Sequence, residues 1–154
     1  MTRLAVRSPF TGRVMPIEDV PDPVFAEKML GDGVALHPTE GLAVAPIDGT
    51  ISVLHSSGHA FAIQSEIESV AVLVHIGLDT VKMKGQGFKV RARVGDVVKA
   101  GQPVVEFDLA AIAAANYSPI SPVILPDLPE AAVVEKSGVT QAQAGKEVLF
   151  TVEI

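Results

Sequence analysis

The chain has 154 residues, 48% of them apolar but only 5% aromatic, with a formal net charge of −6 and no cysteine. That length suits one compact domain burying roughly 70% of its unfolded surface. The acidic balance, with 12 scattered Lys and Arg, gives nucleic acid no basic footprint, and the missing thiols exclude disulfides, thiol catalysis and cysteine zinc sites.

Met1 to Ser8 contains too short an apolar run for a signal peptide and reads as a short extension, residues 1–8, ahead of a single domain over 9–154. Turn signals then recur about every ten residues, the spacing of an all-β fold. Between them lie the expected strands Gly12–Pro16, Gly33–His37, Leu42–Ala45, Gly49–Leu54, His59–Ile63 and Ala71–His75. Phe88–Ala92, Val104–Phe107, Val123–Ile124, Ala132–Lys136 and Val148–Val152 complete the set. Two short helices are expected: one turn or two after Pro23, through Val24–Leu30, and Asp108–Ala115, with Asp108 as N-cap. The whole reads as an antiparallel β-sandwich or barrel with one or two short helices.

Gly95–Phe107 and Gly138–Phe150 echo each other as turn, short strand, glycine turn and strand. Lipoyl and biotinyl carriers share that pattern, but the Met-Lys-Met or Asp-Lys-Ala acceptor turn is missing, so the echo describes architecture. The longest uncharged run, Leu109 to Pro126, is broken by Asn116, Tyr117, Ser118, Pro119, Ser121 and Pro122, and it is no membrane span. A soluble cytoplasmic protein without membrane insertion is expected.

The chemistry concentrates at two histidines sixteen residues apart, His59 and His75. The polar stretch Gln64–Ser69 between them suits a hairpin turn. A turn centred on Ile67 pairs 59 with 75, 61 with 73 and 63 with 71, bringing the two side chains to about 5 Å at Cβ. Gly77 permits close approach to His75, and Asp79 lies four residues on. Ser57, two residues before His59, has a hydroxyl able to bond an imidazole, and His55 is four before it. No phosphate-binding loop, dinucleotide fingerprint, nucleophile elbow or His-Glu-x-x-His occurs. The pair therefore reads as core packing, as zinc ligands completed by water or a carboxylate, or as a phosphoryl acceptor with a partner.

Val74-His75-Ile76-Gly77-Leu78-Asp79-Thr80-Val81 and Lys84-Gly85-Gln86-Gly87-Phe88 resemble the phosphorylation-site signature of the glucose-type enzyme IIA domain of the bacterial phosphoenolpyruvate-dependent sugar phosphotransferase system. Ser8-Pro9-Phe10-Thr11-Gly12, Asp22-Pro23-Val24-Phe25-Ala26, Gly31-Asp32-Gly33, Ala45-Pro46-Ile47-Asp48-Gly49-Thr50 and His59-Ala60-Phe61 match in order, as do Gly95-Asp96, Gly101 and Val105-Glu106-Phe107-Asp108. The resemblance implies a barrel-sandwich hybrid of the duplicated hybrid motif type, and a phosphotransferase component with a phosphohistidine intermediate. It implies that His75 takes phosphate on Nε2 from the phosphocarrier protein HPr and passes it to a cysteine of a sugar permease's IIB domain. His59 is then the residue needed for donation, with Ser57 and Asp79 around the pair. Asp22, Phe25 and Asp79 would meet the partners. No cofactor is required, and zinc on His59 and His75 is an incidental possibility. The alternatives are a regulatory module of the same kind and a zinc protein of the same β architecture.

Overall fold

The computed structural model describes residues 2–66 and 70–154. In chain order the strands are β1 Arg3–Arg7, β2 Gly12–Pro16, β3 Asp32–Pro38, β4 Leu42–Val44, β5 Gly49–Leu54, β6 Ala60–Gln64 and β7 Ala71–His75. They continue as β8 Phe88–Val90, β9 Val97–Val98, β10 Pro103–Phe107, β11 Ser121–Leu125, β12 Val133–Lys136, β13 Gln141–Ala142 and β14 Val148–Glu153. Two short helices, α1 Pro23–Ala26 and α2 Leu109–Ala114, and two 3₁₀ turns, Ile17–Asp19 and Thr80–Met83, join them. One sheet runs β13-β2-β3-β11-β7-β6-β5-β9, and two three-stranded sheets, β1-β14-β12 and β4-β10-β8, complete the all-β antiparallel fold.

Both helices are capped by aspartates, Asp108 as read from sequence and Asp22 in addition. The Asp108 carboxylate accepts from the amides of Ala110 and Ala111, and Asp22 accepts from Val24 with Pro23 opening the turn, each satisfying donors a helix start leaves free. The first helix is one turn only, because Lys28 turns to φ +59° just past it.

The main core gathers Phe10, Leu36, Phe61, Ile63, Val72, Val74 and Phe150, all fully buried. A smaller cluster of Ile17, Val20, Phe25, Ala35, Leu78 and Ile124 lies on the opposite side of the large sheet. Alternation along β7 decides which side carries the histidine: Val72 and Val74 enter the main core, while Leu73 and His75 face the smaller cluster. Burying each such aliphatic or aromatic side chain contributes roughly 1.5–3 kcal/mol, so the strand is held in one orientation.

The hairpin register differs by one from the expected pairing. Ala60, not His59, opposes His75, followed by Phe61 with Val74 and Ile63 with Val72. Strand β6 is buried on both faces, so it has no polar and apolar alternation to fix a register. The Ile67 turn centre on which the expectation rested lies outside the described residues. Residues 3–7, assigned to the N-terminal extension, form β1 against the last strand, with Val6 fully buried.

The internal echo is a structural duplication, and it reaches further than its glycine turns. Ser8-Pro9-Phe10-Thr11-Gly12 and Ala45-Pro46-Ile47-Asp48-Gly49 occupy equivalent places. The Arg7 amide donates to Pro46 O and the Val44 amide to Pro9 O, both at 2.9 Å. Gly145 donates to Ser8 O at 2.7 Å as Gly101 does to Ala45 O at 2.8 Å. The side chains of Thr11 and Asp48 accept from Ala144 and Ala100 respectively. The two glycine turns meet at the centre, where a Cβ on Gly145 would lie 2.9 Å from the Gly101 Cα.

This contact gives a paired test. Gly145 and Gly138 share φ +77°, but a Cβ on Gly138 meets nothing within 4 Å. Each alanine substitution carries the left-handed penalty of about 1–2 kcal/mol. Gly145→Ala should lose measurably more stability than Gly138→Ala in urea denaturation, and equal losses would show that the two turns are not in tight contact.

Candidate functional site

His75 ends β7, and the chain then turns through Ile76–Asp79 into the 3₁₀ turn. Gly77 holds φ +73°, and a Cβ there would come within 2.5 Å of Thr80 Cγ2 and 2.9 Å of Ser118 O. Only glycine fits both the torsion and the space. This bend returns the Gly77 carbonyl to the imidazole, and His75 Nδ1 lies 2.7 Å from it. A carbonyl only accepts, so Nδ1 carries the proton and the Nε2 lone pair is free.

His59 lies just before β6. Its carbonyl accepts from the Ile76 amide at 2.7 Å, making the two histidines diagonal neighbours rather than an opposed pair. Gly58 at φ +77° interrupts the strand alternation. The imidazoles still meet edge to face with centroids 5.4 Å apart. Ser57 sits in the His55–Gly58 turn, not on a strand, yet its Oγ is 2.6 Å from His59 Nδ1. His55 stacks on His59 with centroids 4.7 Å apart.

The remaining expected residues surround the pair unequally. Asp22 is half-buried at the α1 cap and Asp79 is exposed at φ +60°; both carboxylates act electrostatically on His75. Phe25, expected on the docking surface, is only 5% exposed. It belongs to the smaller apolar cluster and packs its ring against His75 at 5.4 Å. The exposed apolar side chains of the same elements are Val24 and Val81.

Sequence reading missed the residues behind the loop. The Gly77 amide donates to Ser121 Oγ at 3.0 Å, Leu78 donates to Ser118 O at 3.0 Å, and the buried Thr80 hydroxyl donates to Ile76 O. Ser121 lies 44 residues from Gly77, and no local pattern announces it.

Burial pushes His59 down to about 4, helped by the neighbouring His75 and His55. His75 is also lowered, first by burial; the Gly77 carbonyl opposes this, His55 adds to it, and Asp22 and Asp79 oppose it. Both imidazoles are therefore biased to the neutral form. Zinc ligation by His59 and His75 finds no support. No group of three or more His, Cys, Asp or Glu placed for a metal occurs among the described residues. Two donors fall short of the three or four that zinc sites use.

A sequence model of the family described as "phosphoenolpyruvate-dependent sugar phosphotransferase system, EIIA 1" matches residues 4–130. The chain is 38% identical over 149 residues to the glucose-specific EIIA component of Oceanobacillus iheyensis, covering 97% of this chain and 90% of that protein. It is 42% identical over 144 residues to the protein of the same name in Haemophilus influenzae, covering 93% and 85%. Among solved structures, the glucose permease IIA of Mycoplasma capricolum superposes with a TM-score of 0.91 at 32% identity, covering 98% of this chain and 96% of that one. No helix among the described residues is long and apolar enough to cross a membrane.

The depressed His59 has a pH consequence. An unfolded chain protonates this residue near 6.5 while the folded one resists until about 4. Its stabilising contribution is therefore complete above pH 6.5 and is lost as the pH falls toward 4, where the unfolded state binds the extra proton. Urea denaturation at pH 7 and pH 5 should show a larger acid loss in wild type than in His59→Gln; parallel losses would contradict a buried neutral His59.

Proposed function

Because the chain belongs to the EIIA type 1 family of the phosphoenolpyruvate-dependent sugar phosphotransferase system, we propose that it is a phosphoryl carrier in which His75 accepts phosphate from the phosphohistidine of HPr and donates it to a cysteine of a IIB domain. The supporting observation is the Nδ1–H of His75 held on the Gly77 carbonyl, which makes Nε2 the ring's one available lone pair. As Nε2 forms the new N–P bond, the donor's N–P bond breaks and its electron pair returns to the HPr imidazole. No proton has to leave Nε2 first. The phosphorylated ring carries positive charge on the Nδ1–H side, where the Gly77 carbonyl strengthens its hydrogen bond and Asp22 and Asp79 supply opposite charge.

His59 acts in the second half of the cycle. With the Ser57 hydroxyl donating to Nδ1, its Nε2–H becomes a donor for a phosphoryl oxygen, stabilising charge as the group moves on. A neutral donor suits this task because it leaves no fixed charge to hold the phosphoryl group against departure. Val24 and Val81, with Asp22 and Asp79 at the same edge, offer an apolar and acidic face to a basic, apolar partner surface. The sugar is proposed to be glucose, the one named for the relatives, and the cytoplasm is the compartment in which both partners would be met.

Incubation with phosphoenolpyruvate, enzyme I and HPr should label wild type with acid-labile, base-stable phosphate. His75→Gln should take up none. His59→Gln should be labelled but lose transfer to a glucose IIB domain by about 100-fold or more, from the lower end of the range for a positioned acid or base upward. Wild-type labelling of His75→Gln would falsify the assignment.

A further inference from the structure

Gly77 is flanked by two peptide planes, and each is pinned at both ends. The plane between Ile76 and Gly77 accepts from the Thr80 hydroxyl at its carbonyl and donates to Ser121 Oγ at its amide, 3.0 Å away. The plane between Gly77 and Leu78 accepts from His75 Nδ1 at 2.7 Å and donates to Ser118 O at 3.0 Å. Between them lies a glycine, whose torsions are otherwise the loosest in the chain. Rotation of either plane would swing the Gly77 carbonyl away from Nδ1.

Three of the four pins are local or made by backbone. Ser121 is the exception: a fully buried side chain from another strand, reaching across where β11 runs beside β7. Its hydroxyl has one proton, and that proton goes to Pro119 O at 2.8 Å. The lone pairs are thereby turned to the Gly77 amide, so the direction of the bond is set by Ser118–Ser121 rather than by the loop itself. We infer that Ser121 is a positioning residue for phosphoryl acceptance, fixing through Gly77 the tautomer that leaves His75 Nε2 unprotonated. The inference rests on the proposed acceptor role of His75 and adds the residue that enforces it.

Ser121→Ala leaves the Gly77 amide buried without its partner. The carbonyl then relaxes, and His75 divides between the two tautomers. In ¹⁵N NMR of histidine-labelled full-length protein above the titration range, wild type should show His75 with Nδ1 protonated and Nε2 bare. Ser121→Ala should show averaged nitrogen shifts at His75, no change at His59, and phosphoryl acceptance from phospho-HPr slowed on the order of 10-fold, inside the 100-fold that a misplacement of about 1 Å can cost. Ser121→Thr keeps the hydroxyl and should restore both readouts. If Ser121→Ala does not fold, Ser121→Cys preserves the volume with a much weaker acceptor and should show the same averaging. A folded variant of either kind with a single Nδ1–H tautomer and wild-type acceptance overturns the role of Ser121 while leaving the acceptor assignment intact. Absence of phosphate on wild-type His75 overturns both.

Discussion

The hydrogen bond from His75 Nδ1 to the Gly77 carbonyl is the constraint on which the site depends. A neutral imidazole in water exchanges its proton between two nitrogens, and a nucleophile needs one of them bare. Here the choice is made by a backbone oxygen 2.7 Å away, and that oxygen can be there only because residue 77 is a glycine in the left-handed region. Everything around the loop serves this arrangement. Leu78 anchors the bend in the smaller apolar cluster, Thr80 and Ser121 hold one peptide plane, and Phe25 closes one side of the ring.

Holding a loop so firmly needs a frame that does not shift beneath it. The duplicated halves supply it by exchanging hydrogen bonds through Arg7 and Val44 and by abutting their glycine turns at Gly101 and Gly145. The eight-stranded sheet then places β11, β7 and β6 side by side at its centre. The proposed acceptor on β7, the serine behind the loop on β11 and His59 just before β6 lie on or beside adjoining strands, so their spacing follows from strand geometry and not from long side chains searching for one another.

Most of the fold was legible because strands here are short, β-branched and punctuated by glycine and proline. The exceptions have physical causes. Strand β1 was hidden by its flanking arginines, although Leu4 and Val6 alternate within it; the likeness of Ser8–Gly12 to Ala45–Gly49 was the signal that would have revealed it. The hairpin register was not legible, since a strand buried on both faces carries no alternation to count. The histidine pair was nevertheless found, because a shift of one residue at a strand end moved His59 from opposite His75 to diagonal, and an aromatic ring spans that difference. Ser57 was legible by proximity in sequence. Ser121 and Ser118 were not, because their contacts depend on a strand crossing far along the chain. Phe25 was placed in the right neighbourhood and on the wrong side of the surface, as an apolar residue beside a histidine serves packing and docking equally well in a sequence.

The two imidazoles are chemically identical, and the asymmetry between them comes from their surroundings. His59 is shielded, bonded to a serine hydroxyl and flanked by His55 and His75, an environment that keeps it neutral to about pH 4. His75 is half-buried and has, besides its burial, a carbonyl and two carboxylates that favour positive charge. That combination is contradictory for a resting imidazole and consistent for one that must become cationic when a phosphoryl group bonds to Nε2. The same surroundings then argue against exchanging the two roles: among the described residues, only burial and two neighbouring histidines act on the charge of His59, and all of them disfavour a cationic ring there. The proposed acceptor and its assistant are thus distinguished by where negative charge is stored around each ring, and the polarity proposed for the pair is a property of the loop after β7 as much as of the histidines themselves.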